Sequence, residues 1–387
     1  MKRFFAVLLV VSFLFFCGCN GENTASVIQE QKETSSVNSG LNENEPIKID
    51  GNEFTVSEKT VRFIGRHHVS TQTMAYGFYN PAAGICFDFT GSSAEIHLSA
   101  SEYSEYNVNY VAVYIDGADQ PISIRVEKDG WYKLCDNLDP NIRHTVKLLK
   151  RSMTNAGAVY AYAVRLSEGA SLYRSPSTHT HKIQVIGDSI TSGYGLLWDQ
   201  VEQNEVTMFQ SGDHSYATML ADKLDADLEV VAVSGGGVGN IENKPSAIIN
   251  NYKQEDMVNG VDCDFSKFVP EVVVIALGTN DIGQNNPADT FKINSMRLIE
   301  FIREQYPDSV IVWTYGVMGG VSYKTVISEM IETVNKKGDK NVYFLPLDSV
   351  QENELPIGQH GHPGIKTHER MAEKLSDFII GITGWGN

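Results

Sequence analysis

Two kinds of hydrophobic spacing follow one another along the chain. From about residue 48 to residue 170, short apolar stretches alternate with polar positions and break at turn residues. Residues 84–89 run into Thr90-Gly91-Ser92, 94–98 resume, 109–115 meet Asp116-Gly117, and 122–126 lead to Lys128-Asp129-Gly130. Residues 144–149 and 158–166 complete the series, with no convincing helical pattern among them. Period-two alternation at this spacing predicts a β-sandwich of the jelly-roll kind. After residues 172–177, read as a linker, five apolar runs at 183–186, 228–233, 272–277, 310–314 and 342–345 are separated by helical patterns.

Those helical faces are read from side chains three and four apart. Tyr216, Met219, Leu220 and Leu224 share one face, with Asp213 as the expected N-cap. Phe291, Leu298, Ile299 and Ile302 form a second, and Val326, Met330 and Val334 a third. Ile365, His368, Ala372, Leu375 and Ile379 form the last. Strand and helix in alternation predict a five-stranded parallel sheet covered by helices on both faces. The expected organisation is a β-sandwich over 48–172 followed by an α/β domain over 180–385. No internal repeat is found.

The ends change the picture. Residues 1–19 combine a charged start, an apolar run and Phe16-Cys17-Gly18-Cys19, the pattern of a secretory signal with a bacterial lipobox. Cys19 is then the expected lipidated residue of a membrane-anchored protein; ordinary signal cleavage and an uncleaved anchor are the alternatives. Residues 20–47 are polar, without aromatics, and read as a flexible linker. The formal net charge of −17 speaks against a nucleic-acid partner. Cleavage before Cys19 removes Lys2 and Arg3 and makes the charge more negative still. Cys86, Cys135 and Cys263 lack the paired spacing of a metal site. Cys86 and Cys135 are either a disulfide or buried free thiols.

Chemistry gathers where the second domain's strands end. The first strand delivers Gly187-Asp188-Ser189, the second Ser234-Gly235-Gly236-Gly237, and the third Gly278-Thr279-Asn280-Asp281. After the last comes Gly358-Gln359-His360-Gly361-His362-Pro363. Right-handed crossovers bring such turns to one rim, where open α/β sheets bind ligands. A serine, an imidazole, backbone N–H groups and a side-chain amide are the parts that acyl transfer requires. By itself the Gly-Asp-Ser turn also reads as a device that closes a strand.

The sequence GDSITSGYG, the Ser-Gly turn, GTND and the late His-Pro resemble the four blocks of the SGNH, or GDSL-type, hydrolases. That resemblance implies Ser189 as nucleophile and His362 as general base. It implies an oxyanion hole of the Ser189 N–H, the Gly235 N–H and the Asn280 amide, with Gly236 or Gly237 as alternatives for the glycine. The strand-rich first half, ending a late strand at Lys150-Arg151, is similar to the N-terminal domain of carbohydrate esterase family 2. The combination implies a carbohydrate O-acetylesterase acting on acetylxylan or acetylated glucomannan. Many SGNH hydrolases carry an Asp three residues before the histidine, where this chain has Gln359. The resemblance therefore implies a Ser–His dyad, its orienting group left open among a backbone carbonyl and the upstream Asp348, Glu352 and Glu354.

Other readings meet obstacles. A dinucleotide fingerprint begun at Gly235 needs glycine where Asn240 stands, and GDSITSGYG lacks the Gly-Lys-Ser/Thr of a P-loop. The pairs His179/His181 and His360/His362 have a spacing that can serve zinc, but the chemistry requires neither metal nor cofactor. Tyr194, Trp198 and Trp313 are candidates to line a substrate cleft, with core packing the alternative for Trp313. Tyr110, Tyr114, Trp131, Tyr160 and Tyr162 are read as core or cross-strand pairs before a sugar-stacking face. Two further functions remain: an SGNH esterase for another small acyl or lipid ester, and a surface glycan-binding protein without catalysis.

Overall fold

Alternation along the first half is satisfied by two antiparallel sheets that face each other across one core. The computed structural model describes residues 44–49, 51–101, 108–202, 205–239, 247–256, 260–318 and 321–386. The expected leader with Cys17 and Cys19, the tether up to residue 43, and Asn240 lie outside them. One sheet runs in the order His68–Val69, Tyr76–Phe78, Val159–Leu166, Ala94–Ala100, Gly130–Cys135, with Glu53–Thr55 added to Val159–Leu166. The other runs Ser171–Arg174, Gly84–Thr90, Arg143–Lys150, Asn109–Ile115, Ile122–Val126, with Arg62–Ile64 on Gly84–Thr90. Phe54, Ile85, Phe87, Phe89, Ile96, Leu98, Val111 and Val146 fill the space between them.

One expectation for this half needs revision, one strand was not foreseen, and one open alternative closes. The presumed linker over 172–177 begins with an edge strand: Leu172 pairs with Phe89 and is fully buried, because its side chain completes the sandwich core. The Gly130–Cys135 strand lacks clean alternation and is visible only as the partner of Ala94–Ala100. Cys86 and Cys135 are both buried free thiols, on strands of different sheets. Of the aromatics, Tyr162 pairs across strands with Ser99 through its hydroxyl at 2.9 Å and Tyr160 bonds Tyr79 at the same distance, whereas Tyr110 and Tyr114 reach Glu205 and Asp213 of the second domain.

The second half forms a parallel sheet in the order Ala226–Ala232, His181–Gly187, Val272–Ala276, Val310–Tyr315, Val342–Pro346. Side-chain alternation within each strand serves two cores. Val272 and Val274 pack with Leu220, Ala372 and Leu375 on one face, and Val273 and Ile275 with Phe291, Ile299 and Ile327 on the other. Helices Tyr216–Lys223 and Ile365–Thr383 cover the first face; Ala288–Gln305 and Val321–Lys336 cover the second. No helix among the described residues is long and apolar enough to cross a membrane.

The two domains lie within one compact unit and share buried polar contacts. Arg151, at the end of a sandwich strand, makes a bidentate pair with Asp213 at 2.9 Å on both arms, and the Tyr114 hydroxyl donates to the same carboxylate at 2.8 Å. Asp213 is therefore a bridge between domains and not the expected helix N-cap; Ser215 fills that role by accepting from the Ala217 N–H. A second bridge links Arg66 to Glu229 at 3.0 Å, with Gln184 donating to Glu229 and accepting from the Tyr252 hydroxyl.

Candidate active site

The sheet order places the His181–Gly187 strand between its two partners from either side of a topological switch point, where ligands bind in such sheets. The strand ends at Gly187, where only glycine fits because a Cβ would meet the Thr191 hydroxyl at 1.9 Å. The chain then turns sharply, and Ser189 is only 8% exposed. Beside it, Asp188 is fully buried and accepts the Ile190 N–H at 3.0 Å. Burial, reinforced by the neighbouring Asp281 charge and opposed by that N–H bond, pushes the Asp188 carboxyl up to about 7.

His362 arrives by a longer route. After the edge strand Val342–Pro346 the chain returns along the rim through two short turns, Glu352–Glu354 and Gln359–Gly361. The Gln359 N–H donates to the Gly195 carbonyl at 3.1 Å, tying this loop to the serine loop. A side chain at Gly195, whose φ is +66°, would meet the Gln359 nitrogen at 2.6 Å, so the contact depends on glycine. His362 Nε2 lies 2.8 Å from Ser189 Oγ, and its Nδ1 lies 3.2 Å from the Gln359 carbonyl oxygen. That carbonyl is the orienting group the sequence left open.

Of the upstream carboxylates, Glu352 is exposed, and Asp348 and Glu354 are engaged elsewhere. Asp348 accepts from Lys374 at 2.6 Å. Burial would raise the Glu354 carboxyl, but Arg370, the Gln351 N–H and the Thr367 hydroxyl outweigh it and hold the group at about 2. For His362, burial lowers the pKa below the ordinary imidazole value, with the Gln359 carbonyl opposing and His360 adding to the shift. The imidazole is thus kept neutral and able to accept a proton. The Tyr194 ring packs against it, centroids 4.4 Å apart, and the Tyr194 hydroxyl bonds His360 Nδ1 at 2.9 Å.

Next to the end of the serine strand is the turn Val233-Ser234-Gly235-Gly236, whose Val233 N–H donates to the Gly187 carbonyl at 3.1 Å. The Gly236 N–H is used by the Val233 carbonyl at 2.8 Å, while that of Gly235, an exposed residue with φ +78°, has no partner among the described residues. Between Gly235 and Gly236, Gly235 is accordingly the one whose N–H is available to donate. The Asn280 amide donates to the Gly236 carbonyl at 2.8 Å and to Asp188 Oδ2 at 3.2 Å. Asp281, completely buried, accepts the N–H groups of Val238 and Gly239 at 3.2 and 2.9 Å and so ties the glycine loop down.

The cleft candidates divide. Tyr194 and Trp198 are half-buried near the rim, Trp198 donating its ring N–H to the Val201 carbonyl. Trp313 is completely buried, its ring N–H on the Leu277 carbonyl at 3.1 Å and its ring edge-on to Phe291. It belongs to the core, since its position on a central strand points it beneath the helices. His368, the buried histidine of the last helix, accepts the Tyr216 N–H at 2.9 Å. One residue at the rim carries no sequence signal: Asn155, from the sandwich, which bonds Ser234 in both directions at 3.1 and 3.4 Å.

The GDSL-like Lipase/Acylhydrolase family model matches residues 185–370, and the Carbohydrate esterase 2 N-terminal model matches residues 63–176. This is the domain pairing of a family 2 carbohydrate esterase. The chain is 31% identical over 321 residues to Cellulase/esterase CelE of Acetivibrio thermocellus, a match covering 80% of this chain and 39% of that protein. The chain thus spans about two fifths of that relative's length. It aligns over its whole length, at 23% identity, with an acetylxylan esterase / glucomannan deacetylase of Cellvibrio japonicus. A family two carbohydrate esterase from Clostridium thermocellum, solved in complex with cellohexaose, superposes with a TM-score of 0.76 at 28% identity, covering 84% of this chain and 99% of that one. Ser189 and His362 lie within the GDSL-like match, as do Gly235 and Asn280.

Proposed function

We propose that this family 2 esterase removes acetyl groups from hemicellulose-type glycans such as acetylxylan or acetylated glucomannan, working outside the cytoplasm. The observation that carries the reading is the Ser189 Oγ to His362 Nε2 distance of 2.8 Å, in an imidazole whose other nitrogen rests on a carbonyl. Ser189 Oγ attacks the acetyl carbonyl while His362 Nε2 takes its proton. The resulting oxyanion lies against the N–H groups of Ser189 and Gly235. The Asn280 amide joins them by exchanging its longer bond, the one to Asp188, for the oxyanion. Collapse breaks the ester bond, and His362 returns the proton to the departing sugar oxygen, which leaves as a hydroxyl. Water, deprotonated by the same imidazole, then hydrolyses the acetyl-enzyme and frees Ser189.

Tyr194 and Trp198 form the sugar-facing edge in this reading, and lipidated Cys19 anchors the protein to a membrane. Support for the glycan comes from the family of the first domain and from what the relatives are named for. Acetate release from acetylated xylan and glucomannan, compared with Ser189→Ala, is the test. Release by the wild type that Ser189→Ala abolishes is the expected result. Turnover of long acyl chains only, or of no ester at all, overturns it in favour of a lipid esterase or a binding protein.

A further inference from the structure

The turn that presents Gly235 is one of a pair of alternatives that differ by a single peptide flip. Val233 to Gly236 closes with the Val233 carbonyl accepting the Gly236 N–H, and the third residue, Gly235, has φ +78°. That is a type II turn; a type I turn has φ near about −90° at the same residue and its central peptide reversed. The central peptide here joins Ser234 to Gly235. Its carbonyl and its N–H point in opposite directions because the bond is trans. Whatever holds the Ser234 carbonyl therefore decides on which side the Gly235 N–H emerges.

Asn155 holds it. Its Nδ2 donates to the Ser234 carbonyl at 3.4 Å and its Oδ1 accepts the Ser234 N–H at 3.1 Å, a two-bond clasp from side-chain amide to backbone. The segment bearing Asn155 is itself fixed from both domains. Lys150, completely buried, donates through Nζ to the Ser152 and Met153 carbonyls at 2.8 Å each. Asn109 Nδ2 donates to the Ala156 carbonyl at 2.7 Å, and Gln210 accepts the Met153 N–H at 2.8 Å. Thr154 Oγ1 donates to the Ala232 carbonyl at 2.6 Å, two residues before Ser234. Gly235 has no Cβ to oppose either turn type, so local sequence leaves the choice to this clasp.

We propose that Asn155, supplied by the β-sandwich, is a positioning residue that selects the type II turn and so aims the Gly235 N–H at the oxyanion. A donor on the Ser234 carbonyl also polarises the N–H of the same peptide. The proposal rests on the esterase reading above. It gives the first domain a share in catalysis that does not involve touching the glycan.

The test measures kcat and KM for 4-nitrophenyl acetate and acetylated xylan, with thermal unfolding, in the wild type, Ser189→Ala, Asn155→Ala and Asn155→Asp. Asn155→Ala should lower kcat about tenfold or more on both substrates with KM and Tm unchanged, short of the loss of about 10²–10³ when an oxyanion donor is deleted. Asn155→Asp keeps the acceptor for the Ser234 N–H but sets a carboxylate oxygen against the Ser234 carbonyl, and should be at least as impaired. An unchanged kcat in Asn155→Ala overturns the proposal. So does a higher KM on xylan alone, which marks a glycan contact, or a fall in Tm that accounts for the lost activity. An inert wild type, or an active Ser189→Ala, overturns the esterase reading and this proposal with it.

Discussion

Gln359 holds His362 with its backbone and not with its side chain. The carbonyl oxygen of Gln359 lies 3.2 Å from His362 Nδ1, while the side-chain Nε2 reaches 3.5 Å toward Glu202 and Oε1 is buried without a partner among the described residues. A backbone acceptor survives any substitution at position 359. Gln359→Ala should therefore keep kcat within about tenfold of wild type, whereas replacing the orienting carboxylate of a Ser-His-Asp triad costs about 10⁴. Ser189→Ala and His362→Ala should each lose on the order of 10⁴-fold or more. Initial rates on an acetyl ester, with thermal unfolding to check the buried site, decide it. A Gln359→Ala enzyme as inactive as His362→Ala would show that the side chain orients the base.

The ring of Tyr194 against His362 has a consequence for pH dependence. Burial is the main cause of the lowered His362 pKa, so the neutral, proton-accepting form persists below the ordinary imidazole value of 6.5. The acid limb of kcat/KM should fall below that value in the wild type. Tyr194→Ala admits water to the imidazole, weakens the desolvation, and should move the limb upward toward 6.5. A full pH profile of both proteins reads the shift directly. An acid limb that stays in place, or moves down, contradicts the role assigned to the ring.

Much of this was legible from residue patterns, for reasons that differ between the domains. Buried parallel strands such as Val272–Ala276 are apolar throughout and stand out against helices, and the residues at their ends inherit a common rim from topology alone. Ser189, Gly235, Asn280 and His362 could therefore be grouped before any distance was known. The edge strand Ser171–Arg174 could not, because its assignment depends on pairing with Gly84–Thr90, about eighty positions away. Trp313 shows the limit of reasoning from strand ends: a residue near a rim by number still points into the core. The roles of Asp213 and Asn155 between the domains were invisible for a related reason. Their partners, Arg151 and Ser234, sit across the domain boundary, and no local pattern records such a contact.

His368 caps the helix Tyr216–Lys223 from across the domain, and its chemistry makes that cap acid-labile. The residue is completely buried, and burial, helped by the charges of His214 and His362, lowers its pKa to about 3. In the unfolded chain it titrates near 6.5. Between these values the unfolded state binds the proton and the folded state does not, so this contribution to stability is complete above 6.5 and is lost progressively as pH falls toward 3. His368→Gln, which cannot ionise, should be less stable than wild type at neutral pH, where the imidazole accepts the Tyr216 N–H. The gap should narrow as the pH falls from 6.5 toward 4.5. Urea unfolding of both proteins across that range measures it, and a gap that widens in acid would rule out a neutral His368.

The Arg151–Asp213 pair makes the fold of each domain depend on the other. Both groups are buried, and the Tyr114 and Ser211 hydroxyls also donate to the carboxylate. Removing one member leaves the other without its opposite charge, which in buried pairs costs about 3–5 kcal/mol. Arg151→Met should therefore destabilise the protein by about that amount, because Asp213 is left charged beneath the sandwich. Arg151→Met with Asp213→Leu removes both charges, and should recover much of the loss even though it eliminates every bond of the pair. The comparison needs equilibrium unfolding of the wild type, the two single variants and the double. Additive losses in the double variant would mean that the two residues act separately. Recovery means that the cost lies in the stranded charge, and that the pair's main effect is to make mispairing of the two domains expensive.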